Sequence, residues 1–125
     1  MKKIMMIAAM AVSIGLTACA QKLDASKVPT AVKASLAKKY PIAVAKWEKE
    51  DGKYEANFKN NGNSMSALFK ADGTMTESEM DIKVADFPAA VLSYVKENYK
   101  GKFIKEGAKI TKADGSINYE AEVDG

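Results

Sequence analysis

Two stretches of the chain carry the same apolar spacing, and that spacing limits what the rest can fold into. Val28, Val32, Leu36 and Tyr40 recur every four residues, and so do Phe87, Val91, Val95 and Tyr99. Residues four apart share one face of a helix, so each set forms an apolar stripe that must be buried against another element. Pro29 and Pro88 suit a first helical turn, where a missing N–H leaves no bond unmade. The spacing predicts helices over residues 28–39 and 87–99. Ala31, Val32 and Leu36 should face inward in the first, with Lys33, Lys38 and Lys39 in water. Tyr40-Pro41 ends that helix, because the residue before proline avoids helical geometry. Asp86 is a candidate cap for the second helix, and Gly101 suits the left-handed residue beyond its end.

Four dipeptides divide what lies between and after: Asp51-Gly52, Asn61-Gly62, Asp72-Gly73 and Asp114-Gly115. Asn-Gly and Asp-Gly tolerate the positive φ angles of tight hairpin turns. They separate strands expected over residues 43–50, 53–59, 64–70 and 74–82, and later over 103–112 and 116–123. Tyr54, Ala56 and Phe58 alternate with Glu55, Asn57 and Lys59, and Ile117, Tyr119, Ala121 and Val123 with Asn118, Glu120 and Glu122. Such alternation means a sheet with one buried face. The expected fold is α+β: duplicated helix-plus-hairpin units, with two helices packed on one face of an antiparallel sheet of about six strands. The half-repeats run over 28–82 and 87–123. Their period is too long for a solenoid, so they read as a duplicated half-domain. Lys46-Trp47-Glu48-Lys49 aligns with Lys109-Ile110-Thr111-Lys112, and Tyr54-Glu55-Ala56 with Tyr119-Glu120-Ala121. The first unit has four strands and the second two. Asp124-Gly125 looks like the start of another turn, so the sheet is either uneven or continued.

The first residues read as an export signal. Lys2 and Lys3 precede an apolar run over residues 4–16, too short to span a bilayer comfortably. Leu16-Thr17-Ala18-Cys19 resembles the bacterial lipobox, in which the cysteine becomes the lipid-bearing first residue. Ala18-Cys19-Ala20 also fits a small-x-small cleavage site that would free a soluble chain from Gln21. The lipobox is favoured because Cys19 is the sole cysteine and stands where that signal needs it. Residues 1–18 are then the signal, 19–27 a polar tether, and 28–125 a single domain. The signal holds two lysines and no acid, so its loss takes the net charge from +3 to +1.

Composition removes whole classes of chemistry. With no histidine, and the one cysteine committed to lipid, neither a Ser-His-acid nor a Cys-His nucleophile can be built, nor a His/Cys metal site. Glu77, Glu79 and Asp81 share a strand face, but a strand spreads its carboxylates too far apart for calcium. There is no glycine-rich phosphate loop and no arginine, so neither a nucleotide cofactor nor nucleic acid is expected. The chain reads as having no catalytic residues, cofactor or metal.

Val28-Pro29, Ala31-Val32, Tyr40-Pro41 and Tyr54-Glu55, then Phe87-Pro88, Ala90-Val91, Tyr99 and Tyr119-Glu120, come in an order that resembles the PepSY-like, beta-lactamase-inhibitor-like family of envelope proteins. The resemblance covers residues 28–123. It implies helices packed on an antiparallel sheet, and binding or inhibition of other proteins.

Trp47 is either a partner anchor or a core residue. Its apolar counterpart Ile110 favours the core. Tyr94 lies off its helix stripe and is expected at the surface, unless it and Leu92 widen the buried face. Glu55, Asn57 and Lys59, with Glu120 and Glu122, project away from the helices and form the candidate partner-binding face. The expectation is an exported, lipid-anchored, non-enzymatic protein-binding or inhibitory module. It faces the periplasm or cell surface, is held to the membrane through Cys19, and has an envelope protein as partner. The alternative is a small-ligand carrier or sensor in the periplasm.

Overall fold

The computed structural model describes residues 4–7 and 21–124. Cys19, the lipobox and most of the expected signal lie outside them. The fold is α+β: two helices packed with an open antiparallel sheet of seven strands rather than about six. The strands are β2 (Gln21–Leu23), β3 (Lys46–Glu50), β4 (Lys53–Asn60), β5 (Asn63–Phe69), β6 (Met75–Ile82), β7 (Phe103–Lys112) and β8 (Ile117–Asp124), and the helices α1 (Thr30–Lys39) and α2 (Ala89–Asn98). A short strand, β1 (Ile4–Ile7), pairs in parallel with β8. The additional antiparallel strand is β2, which lies in the stretch expected to be a tether. It pairs with β3 and sets Leu23 opposite Trp47, so burying Leu23 against the core draws this segment onto the sheet. Among the described residues no helix is long and apolar enough to cross a membrane.

The described residues divide into two compact units, residues 21–79, and residues 80–124 with 4–7. In the first, α1 sits on the sheet face that carries Trp47, Ala56, Phe58, Ala67 and Phe69. Its stripe is buried as its spacing demands, with Val32 0% and Leu36 5% exposed. Ala31 departs from expectation and is exposed, because it lies one residue off the four-residue stripe. The Tyr40 ring meets Phe58 at 4.8 Å and Trp47 meets Phe69 at 6.3 Å. In the second unit, Phe87, Val91 and Ala121 form the core with Leu92, Ile104 and Tyr119 against it. Val91 and Val95 are 5% and 4% exposed, as deep as their counterparts in α1.

Both helices begin later than their stripes. Each follows a 3-10 turn, Ala25–Lys27 or Val84–Asp86, and has proline as the residue before its first turn. Asp86 belongs to that turn, and no side chain caps α2.

The turns follow their dipeptides. Asp51-Gly52 and Asn61-Gly62 form two-residue hairpins with positive φ at both positions, the geometry that matches strand twist. Asp72-Gly73 and Asp114-Gly115 close three-residue loops, in which only the glycine has positive φ. Asp72 and Asp114 accept backbone N–H bonds from Thr74 and Ser116 at 2.9 Å.

Register corrects the alignment of the two units. Lys49 pairs with Tyr54 and Trp47 with Ala56, while Lys109 pairs with Tyr119 and Gly107 with Ala121. The counterpart of Trp47 is therefore Gly107, not Ile110. Ile110 pairs with Asn118 and lies on the opposite face, half-buried. The longer β7–β8 turn causes the displacement, because a change in hairpin loop length alters which residues face one another. Trp47 itself is a core residue.

Candidate functional site

The expected binding residues come from alternate positions of two strands. On β4 the inward set is Tyr54, Ala56 and Phe58, which leaves Glu55, Asn57 and Lys59 on the outer face. Register places Lys46 beside Asn57, Glu48 beside Glu55 and Glu50 beside Lys53, and on the other side Ser64 beside Lys59, Ser66 beside Asn57 and Leu68 beside Glu55. Among these positions the outer face is polar apart from Leu68, and acidic at Glu48, Glu50 and Glu55.

Glu55 is the perturbed group of this face. Burial pushes its carboxyl above the usual 4.5, a hydrogen bond from the Asn57 amide opposes the shift, and the charges of Glu48, Glu50 and Glu77 add to it. A carboxylate half-withdrawn from water among other carboxylates is held at higher energy than one in solvent. A cationic group placed over it would relieve that cost.

In the second unit Glu120 and Glu122 share the outer face of β8, opposite Ala108 and Glu106 on β7. Lys105 approaches Glu122 at 4.0 Å with both side chains about half exposed, a pair that adds little stability. Ala108 and Asn118 on this face are buried, so it is less open than alternation predicts. Each unit brings its own candidates together on one face. Tyr94 is exposed on α2, and its backbone carbonyl accepts the Asn98 amide at 2.8 Å. No group of three or more metal-ligating side chains occurs among the described residues.

One feature of the first unit was not anticipated. Beside the outer face, Ile42, Val44, Lys46, Asn57, Phe58, Lys59, Ser64 and Met65 line an open groove of about 470 Å³. Ile42 and Val44 are 83% and 89% exposed, large values for apolar side chains. Residues 43–45 were expected in a strand, but β3 begins only at Lys46. The chain needs the intervening residues to turn from the end of α1, where the Ala43 N–H bonds the Tyr40 carbonyl, into the sheet. The available signal was the Pro41-Ile42-Ala43-Val44 run itself, since a proline beside apolar residues marks an extended connection as readily as a strand.

The fold recurs in solved structures. A protein of Bacteroides eggerthii described as a putative periplasmic protein is 21% identical with a TM-score of 0.74, over 78% of this chain and 73% of that one. A DUF2874 family protein from Bacteroides uniformis is 23% identical with a TM-score of 0.72, over 77% and 72%. A BLIP-like protein from Bacteroides fragilis is 24% identical with a TM-score of 0.67, over 78% and 72%. At these identities the likeness is one of fold. No curated protein matches the chain. The family model described as "Putative beta-lactamase-inhibitor-like, PepSY-like" matches residues 16–77 and 52–125, and the chain belongs to that family.

Proposed function

We propose that this protein is an exported, lipid-anchored, non-enzymatic module of the bacterial envelope that binds, and in binding inhibits, another envelope protein through the solvent-facing side of its sheet. The observation that carries the reading is the division of β4 into two faces. Tyr54, Ala56 and Phe58 are committed to the core, while Glu55, Asn57 and Lys59 stand outward on the same rigid strand. Glu120 and Glu122 extend the reading to the second unit. A surface of fixed, mixed charge favours a matched partner over non-specific adhesion, and the glutamates gathered around Glu55 offer a partner's cation a favourable place. Family membership and the fold shared with a BLIP-like protein and a periplasmic protein support an envelope setting and an inhibitory role. The lipid anchor rests on the sequence around Cys19.

The test compares two variants in crosslinking capture from the native envelope. One reverses charge at Glu55, Lys59, Glu120 and Glu122. The other reverses it at Lys33, Lys38 and Lys96 on the helices. The first should lose its partners and the second keep them. The opposite result places the binding surface on the helices.

A further inference from the structure

The groove in the first unit has a feature that a merely greasy surface lacks. β3 stops at Lys46, opposite Asn57, whereas β4 runs on to Asn60 with β5 alone beside it. In an antiparallel pair, alternate residues aim both backbone groups at the same neighbour. Glu50 and Lys53 flank a two-residue turn and so form a bonded pair. Counting by twos along β4 aims the N–H and C=O of Lys59 at the side where β3 has ended. The sheet edge is therefore left without β3 at this one residue, which also lines the groove.

The side chains around the groove have a definite chemistry. Phe58 and Met65, paired across β4 and β5, and the exposed Ile42 and Val44 supply its apolar lining. Lys46 and Lys59 are both exposed at its rim, and no carboxylate lines it. Backbone hydrogen-bonding groups, an apolar lining and two cations together call for an occupant with all three complements. A polypeptide strand supplies the backbone, and alternation lets it point apolar side chains at the apolar lining and acidic ones at the lysines.

We propose that this groove docks an extended, alternately acidic and apolar segment of a partner protein, which adds as a strand beside Lys59. The proposal rests on the protein-binding reading above and assigns it a second contact, off the flat of the sheet. The groove, about 470 Å³ and open to solvent, lies within the size range of specific ligand sites. The short vacancy favours a few residues of pairing, not a long added strand.

The test is an NMR titration of the ¹⁵N-labelled full chain with acetyl-Glu-Val-Glu-Val-Glu-amide, with acetyl-Lys-Val-Lys-Val-Lys-amide, and with oleate. The acidic peptide should shift amides over residues 42–46, 57–59 and 64–65, and the basic peptide should leave them in place. Lys46→Glu with Lys59→Glu should weaken the acidic peptide about tenfold, as expected for reversing two exposed charges. Val44→Asp, at a side chain almost wholly in water, should weaken it without disturbing the fold. Equal shifts from both peptides, or shifts confined to other residues, overturn the proposal. Shifts from oleate alone overturn it in favour of a lipid ligand. Glu55→Lys with Glu120→Lys and Glu122→Lys leaves the groove lining untouched. If that variant loses its envelope crosslinks while the acidic peptide fails to bind the parent chain, the sheet-face reading stands and the groove proposal falls.

Discussion

The Phe87 ring lies over Gly107 so closely that a Cβ at Gly107 would clash with Phe87 Cζ and Cε2. Phe87 is a core residue of the second unit, and its ring also packs tilted against Tyr119 at 6.1 Å. Gly107→Ala is expected to destabilise the protein by about 1–3 kcal/mol through overpacking. Phe87→Leu in the same chain should recover part of that loss, so the two substitutions are non-additive. Urea denaturation of both single variants and the double variant measures the coupling. Strict additivity would mean that the ring does not restrict position 107.

Leu36 lies at the centre of the α1 stripe, buried against the first unit's core. Leu36→Ala should cost about 2–4 kcal/mol, the usual range for emptying a packed leucine site. Lys38→Ala on the exposed face of the same helix should change stability by under about 0.5 kcal/mol. Thermal or urea unfolding of the pair checks the helix orientation directly.

Glu55 makes stability depend on pH in a direction opposite to most carboxylates. Burial, with the nearby glutamates, raises its folded-state pKa above the usual 4.5. The folded chain then holds this proton more tightly than the unfolded chain does. The resulting stability is complete below the unfolded value and is lost as pH rises through the folded one. At neutral pH the ionised group opposes folding. Glu55→Gln should therefore raise stability at pH 7 by up to about 0.5 kcal/mol, once solvent screening is allowed for, and make little difference at about pH 4 or below. Asp24, Asp72 and Asp114 act in the other sense. Hydrogen bonds involving Ser26, Thr74 and Ser116 hold them below 3.8, so their contributions persist above that value and disappear as pH falls through the folded pKa. Unfolding measured at both pH values in the parent and the Gln variant separates the two senses.

Cys19→Ser should abolish acylation and leave the protein unprocessed or released from the membrane. Mass spectrometry of the mature N-terminus checks this. An unmodified chain beginning at Gln21 would show that the lipobox is not used and that the neighbouring small-residue site is.

Much of the fold is local enough to read from the chain. The four-residue stripes of Val32 and Leu36 and of Val91 and Val95 predict which helix faces are buried, because helical geometry allows those residues only one common face. Asp51-Gly52 and Asn61-Gly62 predict their hairpins, because few other dipeptides accept positive φ at two adjacent positions. The outward placement of Glu55, Asn57 and Lys59 follows from strand alternation alone.

What the sequence could not settle depends on contacts between residues far apart in the chain. Ile110 matched Trp47 in the alignment, yet pairing across the longer hairpin brings Gly107 to that position. The reason is volume. In the first unit a small Val28 accompanies a large Trp47 in the core, whereas in the second a large Phe87 lies over a residue with no side chain. Either combination fills the space, and no local pattern says which has been used. The groove has a similar origin, because β3 stops at Lys46 only when the chain must cross from the end of α1 to the sheet. Helix faces, turn types and strand alternation were written in the sequence because they obey periodicities of a few residues. Register, the cover over Gly107 and the open edge at Lys59 were decided only when distant segments had to share one close-packed interior.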